Sequence, residues 1–425
     1  MDIHKQHPAL SAQAPASRVY AWYCVFALML CQALASVDAR LPFILVEALK
    51  RDLGLSDTQV GLITGPAFSL TYAVCAIPIA KLSDRGNRVA IISVAIAVWS
   101  AFTAVAGLAV NFGTFAATRV GVAVGESALT PGAHSLIASY FKGPARAKGL
   151  AVYSFGLAAG AFIAFAVGGY VGDRFGWRMA FFLVGGGGLG LVALLMGTVR
   201  HPPRESAVGA SSAPRGDIRS LLRHPVIRNL VLGGTLLGFS AGSVNAWGPA
   251  YVMRTFHLSA TETGASYGAV TGLLAMVGIL AGGFIGSWLS ERHPSRALQM
   301  LSGAFVIAML AQIGGLLADD YTLFLALLAL TILLSSFYLA PTHAAIQSIV
   351  DPASRSFASA VTLFCINGLG IALGAFVVGA LSDVLTPRLG DGALRWALLG
   401  VSLAKSWSAL HYWLASRHLL RSSST

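Results

Sequence analysis

Between residues 19 and 416 long apolar runs alternate with short polar, mostly basic turns. Windows of about 19 residues place apolar spans at 19–46, 59–81, 89–109, 113–140, 148–171, 178–199, 227–253, 264–289, 297–317, 321–348, 357–382 and 393–416. As helices, each is long enough to cross a hydrocarbon layer about 30 Å thick. Six spans precede residue 200 and six follow residue 226.

The two sets of six repeat one another. Leu55-Ser56-Asp57-Thr58-Gln59-Val60-Gly61 shares its pattern with Leu258-Ser259-Ala260-Thr261-Glu262-Thr263-Gly264, and each opens a long apolar helix. Those helices end in matching charged turns, Leu82-Ser83-Asp84-Arg85 and Leu289-Ser290-Glu291-Arg292. Pro131, His134, Arg146, Phe155, Gly169 and Asp173 recur as Pro341, His343, Arg355, Phe364, Gly379 and Asp383. A parallel duplication of this kind is the architecture of carriers that bind substrate between two halves and rock one against the other. The expected fold is therefore an all-α membrane protein of twelve transmembrane helices in two pseudo-symmetric six-helix bundles.

Domain limits follow from the breaks in hydropathy. A tail occupies 1–18, the first bundle 19–200 and the second 227–416. Residues 201–226, rich in Pro, Ser, Ala and Gly, form a linker, and 417–425 a second tail. The run after Arg18 is too long for the apolar core of a cleaved signal and reads as the first membrane helix. Of the 29 Lys and Arg, 19 fall in or beside segments on the side of the N-terminus, 7 on the other side and 3 inside spans. Positive loops stay cytoplasmic, so both termini are expected in the cytoplasm and the chain in the inner membrane.

Composition narrows the function. The chain is 56% hydrophobic and 11% charged, and no large soluble domain remains once the spans are removed. Its formal charge of +12 lies in short inner loops, where anionic lipid accounts for it and a nucleic-acid partner is not expected. Cys24, Cys31, Cys75 and Cys365 sit in apolar spans without metal spacing and read as packing residues, so no metal or cofactor is expected. An enzyme is not expected either: there is no HExxH or Walker A sequence, and the GxSxG match at Gly264–Gly268 opens a membrane helix.

The chemistry is carried by charges inside the spans: Asp38, Arg40, Arg119, Glu126 and Lys405. Each costs several kcal/mol in hydrocarbon unless it meets water or a partner, and such residues mark ion and substrate pathways. Arg119 and Glu126 are seven apart, two turns along one helix face. Asp38 and Arg119 fall at similar depth, roughly 9–12 Å from the far membrane surface, which suits a pair across a cavity. Asp38 and Glu126 are the expected proton-binding groups, with Arg119 the cation that favours whichever carboxylate it approaches. The competing reading is a structural ion pair. Lys405, in the last helix, reads as structural.

Polar and aromatic residues at Arg40, His134, Asn245, Trp247, Tyr251, Tyr338, His343 and Asn367 are candidates for the substrate cavity, able to hold an amphipathic molecule by stacking and a few polar contacts. Asp84, Arg85, Arg88, Arg146, Glu291, Arg292 and Arg355 are candidates for a cytoplasmic gate, where charges meet helix ends.

The stretch Ala80-Lys81-Leu82-Ser83-Asp84-Arg85-Gly86-Asn87-Arg88 resembles the loop signature GxLaDRxxRR of the major facilitator superfamily, with Ala80 in place of its first Gly. Arg119–Ser127, Trp99-Ser100, Trp247–Tyr251, Ala358-Ser359-Ala360 with Asn367, and Val378–Asp383 resemble the spinster-like branch. One departure is Asp38-Ala39-Arg40, where that branch commonly has Asp and Arg adjacent.

The resemblance implies a proton-coupled carrier in which Asp38 and Glu126 handle protons. Its eukaryotic members move sphingolipids or lysophospholipids. The expectation is a secondary active transporter, acting as a monomer, for a small amphipathic or anionic organic molecule. The alternative is a lipid-like or drug substrate expelled by proton antiport.

Overall fold

The computed structural model describes residues 17–200, 217–351 and 354–422. Most of the expected N-terminal tail and linker, and the last three residues, lie outside the described residues, as do the side chains of Asp84, Arg85 and Glu291. The described residues are almost entirely helical.

The passes are α1 Arg18–Ile44, α2 57–85, α3 Arg88–Ala106, α4 112–140, α5 Pro144–Phe175, α6 Trp177–Thr198, α7 Pro225–Phe256, α8 Ala260–Arg292, α9 Pro294–Leu317, α10 Tyr321–Ile349, α11 355–389 and α12 393–422. Ten helices among the described residues are long and apolar enough to cross a membrane. One of them, 357–421, has 65 residues, which as a single helix would reach about 98 Å, three times the hydrocarbon thickness. It turns at Gly390–Gly392 and makes two passes, α11 and α12. Residues 112–140 add the twelfth as two shorter segments, Phe112–Glu126 and Leu129–Tyr140.

The repeated sevens have a local physical cause. Ser56 and Ser259 cap α2 and α8, each accepting from the backbone N–H three residues on, while Gln59 and Glu262 reach back to the cap's own N–H. Both are capping boxes, which satisfy donors that a helix start leaves open. The repeated prolines also have a cause. Pro131 and Pro341 offer no N–H to the carbonyl four residues earlier, and the helix is interrupted there in both halves, at 127–128 in α4 and at Ser336–Tyr338 in α10. Two further irregularities face each other across the halves: wide π-helical turns at Ile63–Ala67 in α2 and Phe364–Ile371 in α11.

The chain's described ends emerge on one face, here the terminal end; the opposite face is the far end. One hydrophobic core joins the halves at the far end, drawing Leu41, Ile44 and Phe165 from the first half and Trp247, Tyr251 and Val378 from the second. Nearer the terminal end the core divides: one cluster lies wholly within residues 21–199 and another within 221–415. The α5–α8 contact shows the same splay. A Cβ at Gly169 or Gly264 would overlap the facing carbonyl of Ala260 or Phe165, at Gly268 it would lie 2.7 Å from Phe165, and at Gly272 3.8 Å from Phe162. The halves thus meet at the far end and part towards the terminal end. Large apolar side chains on the outside, among them Val74, Phe284, Leu310 and Trp407, present the surface lipid requires.

Candidate functional site

Asp38 and Arg119 are both buried, with side chains 0% and 2% exposed. Arg119 donates from Nη1 to Asp38 Oδ1 at 2.6 Å and from Nη2 to the Asp38 carbonyl at 3.4 Å. The Thr103 hydroxyl, from α3, donates to the other carboxylate oxygen, and the Phe68 ring of α2 lies 5.2 Å from the guanidinium carbon. Four helices of the first half therefore converge on one charge pair. The expected meeting of Asp38 and Arg119 is present; Thr103 and Phe68 were not foreseen, because neither a threonine nor a phenylalanine stands out within an apolar span.

Glu126 closes the first segment of α4, directly before the break. Its carboxyl is buried, and Oε1 has no hydrogen-bond partner. It lies within electrostatic reach of Asp38, Arg119 and Arg40 but contacts none of them through a hydrogen bond. Arg119 keeps one donor, Nε, unsatisfied on the same helix face. Arg40 is turned back along α1 and donates to the Ser36 hydroxyl at 2.8 Å, which in turn donates to the Leu157 carbonyl of α5. With Ala39 between them, Arg40 bonds back to Ser36 on α1 and makes no hydrogen bond to the Asp38 carboxylate.

The other cavity candidates separate. His134 is exposed and packs edge-on to the Tyr153 ring at 5.5 Å between centroids. Asn367 is exposed and His343 half-buried. Asn245 and Tyr338 line a cavity of ≈ 140 Å³ between α7, α8, α10 and α11. Trp247 and Tyr251 do not belong with them. Trp247 is fully buried and donates from Nε1 to the Ala375 carbonyl at 2.7 Å, while Tyr251 donates to the Leu316 carbonyl at 2.9 Å. Each indole or phenol is consumed in packing α7 against a neighbour, the usual fate of a buried Trp or Tyr. Lys405 lies behind α7, donating to Ser240 Oγ at 2.6 Å and to Gln312.

Of the gate candidates, Arg88 donates to Ser139 at 2.8 Å, joining α3 to α4 within one half. Arg292 stacks on Trp288, Arg355 reaches the nearby Val350 carbonyl, and Arg146 is exposed. None of these four bridges the halves in this state.

The bridges sit at the far end. Asp383 of α11 accepts from the backbone N–H of Asp57 at 3.0 Å and of Thr58 at 2.7 Å, at the start of α2. Asp173 of α5 accepts from the N–H and the hydroxyl of Thr261 at 2.7 and 2.6 Å, at the start of α8. Arg254 forks onto both oxygens of Asp57 at 2.8 Å and reaches Glu47 at 2.8 Å, and Lys50 also pairs with Asp57. In the sequence Asp173 and Asp383 stand out as members of the repeat, and Asp383 also within the spinster-like stretch Val378–Asp383, but neither as a contact between the halves.

Residues 28–375 match the Major Facilitator Superfamily. The chain is 36% identical over 405 residues, 94% of each protein, to an MFS-type efflux pump of Mycolicibacterium smegmatis. The chain belongs to the major facilitator superfamily. It falls in the spinster-like branch: it is 25% identical to protein spinster of Drosophila melanogaster over 80% of this chain and 58% of that longer protein. It also superposes with a TM-score of 0.86, at 27% identity and over 95% of this chain and 98% of the other, on a bacterial homolog of the human lysosomal transporter Spinster in an inward-facing, unoccupied conformation. The superfamily consists of transporters, and the chain is a transporter and not an enzyme.

Proposed function

We propose that the chain is a proton-coupled carrier of the inner membrane that expels a small amphipathic molecule in exchange for protons. The observation that carries this reading is the buried pair Asp38–Arg119 beside an unpartnered Glu126 on the same helix face as Arg119. A buried carboxyl without a donor or a cation in contact sits at least cost when it holds a proton. Loss of that proton to the cytoplasm leaves an anion that competes with Asp38 for Arg119. Exchange of Arg119 between the two carboxylates then ties protonation to the arrangement of α1, α3 and α4.

Both termini cytoplasmic, as the basic loops predict, puts the open terminal end towards the cytoplasm; the likeness to an inward-facing relative supports that orientation. The efflux relative favours export over uptake. The placement of Lys405 bears on the substrate. With it outside the cavity, Asp38 and Glu126 balance Arg40 and Arg119, and no excess of positive charge favours an anion over a neutral molecule. The work divides between a bundle of residues 19–200 that carries the proton groups and a bundle of residues 227–416 that contributes Asn245 and Tyr338 to the cavity. A monomer, protons, a small-molecule or lipid-like substrate and surrounding lipid are the parts the cycle requires.

The test is reconstitution into liposomes holding a pH-sensitive dye, with lysolipids, organic acids and cationic drugs offered in turn. Substrate-driven proton movement in the wild type, lost in E126Q, is the expected result. Substrate flux without proton flux would overturn the coupling.

A further inference from the structure

The cavity between α7, α8, α10 and α11 has a chemistry unlike that of the first half. None of its lining residues is charged. Its polar members are Asn245, Thr271, Ser335, Ser336 and Tyr338. Two of these are already used, since Thr271 donates to the Tyr267 carbonyl at 2.8 Å and Ser336 to the Ile332 carbonyl at 2.7 Å, each along its own helix. The Ser335 hydroxyl is buried with no partner, and among the described residues neither the Asn245 amide nor the Tyr338 hydroxyl is engaged. Buried polar groups are normally satisfied, so a hydroxyl that lines a cavity without a protein partner is placed to bond a polar guest.

Three uncharged groups that can each donate and accept thus line one pocket, and the rest of its wall is mainly aliphatic. An ionised head entering here would shed its water and find no counter-charge, because Lys405 is committed to Ser240 and Gln312 behind α7. A hydroxyl or amide would lose less and gain partners. The same arrangement discriminates at Ser335, because a buried polar group that awaits a partner penalises any ligand that leaves it unpaired.

We propose that this cavity is the recognition subsite for an uncharged, hydroxyl- or amide-bearing end of the transported molecule, held by Asn245, Ser335 and Tyr338. The inference rests on the carrier reading above and names the substrate class: amphipathic with a neutral polar end, its charge-handling left to the first half.

Equilibrium binding to nanodisc-embedded protein, with no gradient present, tests it separately from proton coupling. The probes are 1-octanoylglycerol, octyl phosphate and octyltrimethylammonium, followed by calorimetry. Saturable binding of octanoylglycerol is expected, at least tenfold tighter than either ion. S335A and Y338F each remove one oxygen and should weaken it about three- to tenfold while leaving the ions unchanged. Equal or tighter binding of octyl phosphate, absence of saturable octanoylglycerol binding, or wild-type affinity in folded S335A/Y338F protein overturns the proposal. Should a variant fail to fold, the probe ranking on the wild type still decides. Loss of proton coupling in liposomes with this ranking intact would sink only the coupled cycle.

Discussion

Asp383 and Thr58 belong to opposite halves of the molecule, yet the carboxylate of one accepts the backbone N–H of the other at 2.7 Å. Asp173 and Thr261 repeat the arrangement on the other side of the pseudo-twofold, also at 2.7 Å. In each case an acid at the far end of one helix supplies the charge that the opposite helix's N-terminus favours. Glycines let the backbones come this close: a Cβ at Gly379 would overlap the Asp57 carbonyl, as one at Gly169 would overlap that of Ala260. The far end is therefore closed by two matched interhelix caps, with Arg254 bridging between the halves at Asp57 and Glu47.

Removal of these caps should loosen the closed end. Loss of a helix cap costs about 0.5–2 kcal/mol, so D173A/D383A should lower the preference for the present state by roughly 1–4 kcal/mol. Spin labels at R51C and D391C, exposed at the far end of opposite halves, provide the measurement. We expect their distance distribution to acquire a longer component in D173A/D383A. An unchanged distribution would show that packing alone holds the far end shut.

The Asp38–Arg119 pair should behave as a unit. Truncation of one member of a buried pair strands the other charge at a cost of about 3–5 kcal/mol. R119M should therefore melt well below the wild type, whereas D38N/R119Q, which removes both charges, should recover most of the stability and still fail to couple substrate flux to protons. Thermal unfolding in detergent checks the first statement and dye-loaded liposomes the second. Full coupling in D38N/R119Q would reduce the pair to a structural bridge.

Much of this was legible in the chain for local reasons. Capping boxes at Ser56 and Ser259 are written in seven consecutive residues, and Asp38 and Arg119 were matched in depth by counting rise along two helices. What failed depended on rotation about a helix axis. Among the 32 residues of α7, 20 are buried, so position along the helix does not separate a cavity-facing aromatic from one wedged between neighbours. Asn245 lines the cavity, and Trp247, two residues on, packs against α11. The caps at Asp173 and Asp383 were hidden for a related reason: an acid at a helix end resembles an ordinary loop charge until the opposing helix start is known.

Gly264 gives an independent handle on the same closure. A Cβ there would overlap the Phe165 carbonyl, and backbone, unlike a flexible side chain, cannot step aside. G264L should push α5 and α8 apart at the far end and hold the transporter in a state open there, with transport reduced at least tenfold. The labelled pair R51C and D391C should then report the longer distance even with both caps intact. Normal transport by folded G264L would mean that this contact is not needed in any step of the cycle.

Lys405 tests whether every buried charge here belongs to the cycle. The residue is 2% exposed and its ammonium is bonded to Ser240 and Gln312, with no carboxylate in contact among the described residues. A buried cation held only by neutral groups recovers little of its hydration, so a similarly shaped apolar side chain should be tolerated at that position. We expect K405M to melt at or above the wild-type temperature and to retain proton-coupled flux within about twofold. The Gln312 amide, whose Nε2 already lacks a partner, would keep only the long bond from Ser240 Oγ at 3.5 Å, so K405M/Q312L should be at least as stable as K405M. Loss of coupled flux in a folded K405M protein would instead place a second charge in the cycle, in the half that otherwise contributes only neutral groups to the cavity.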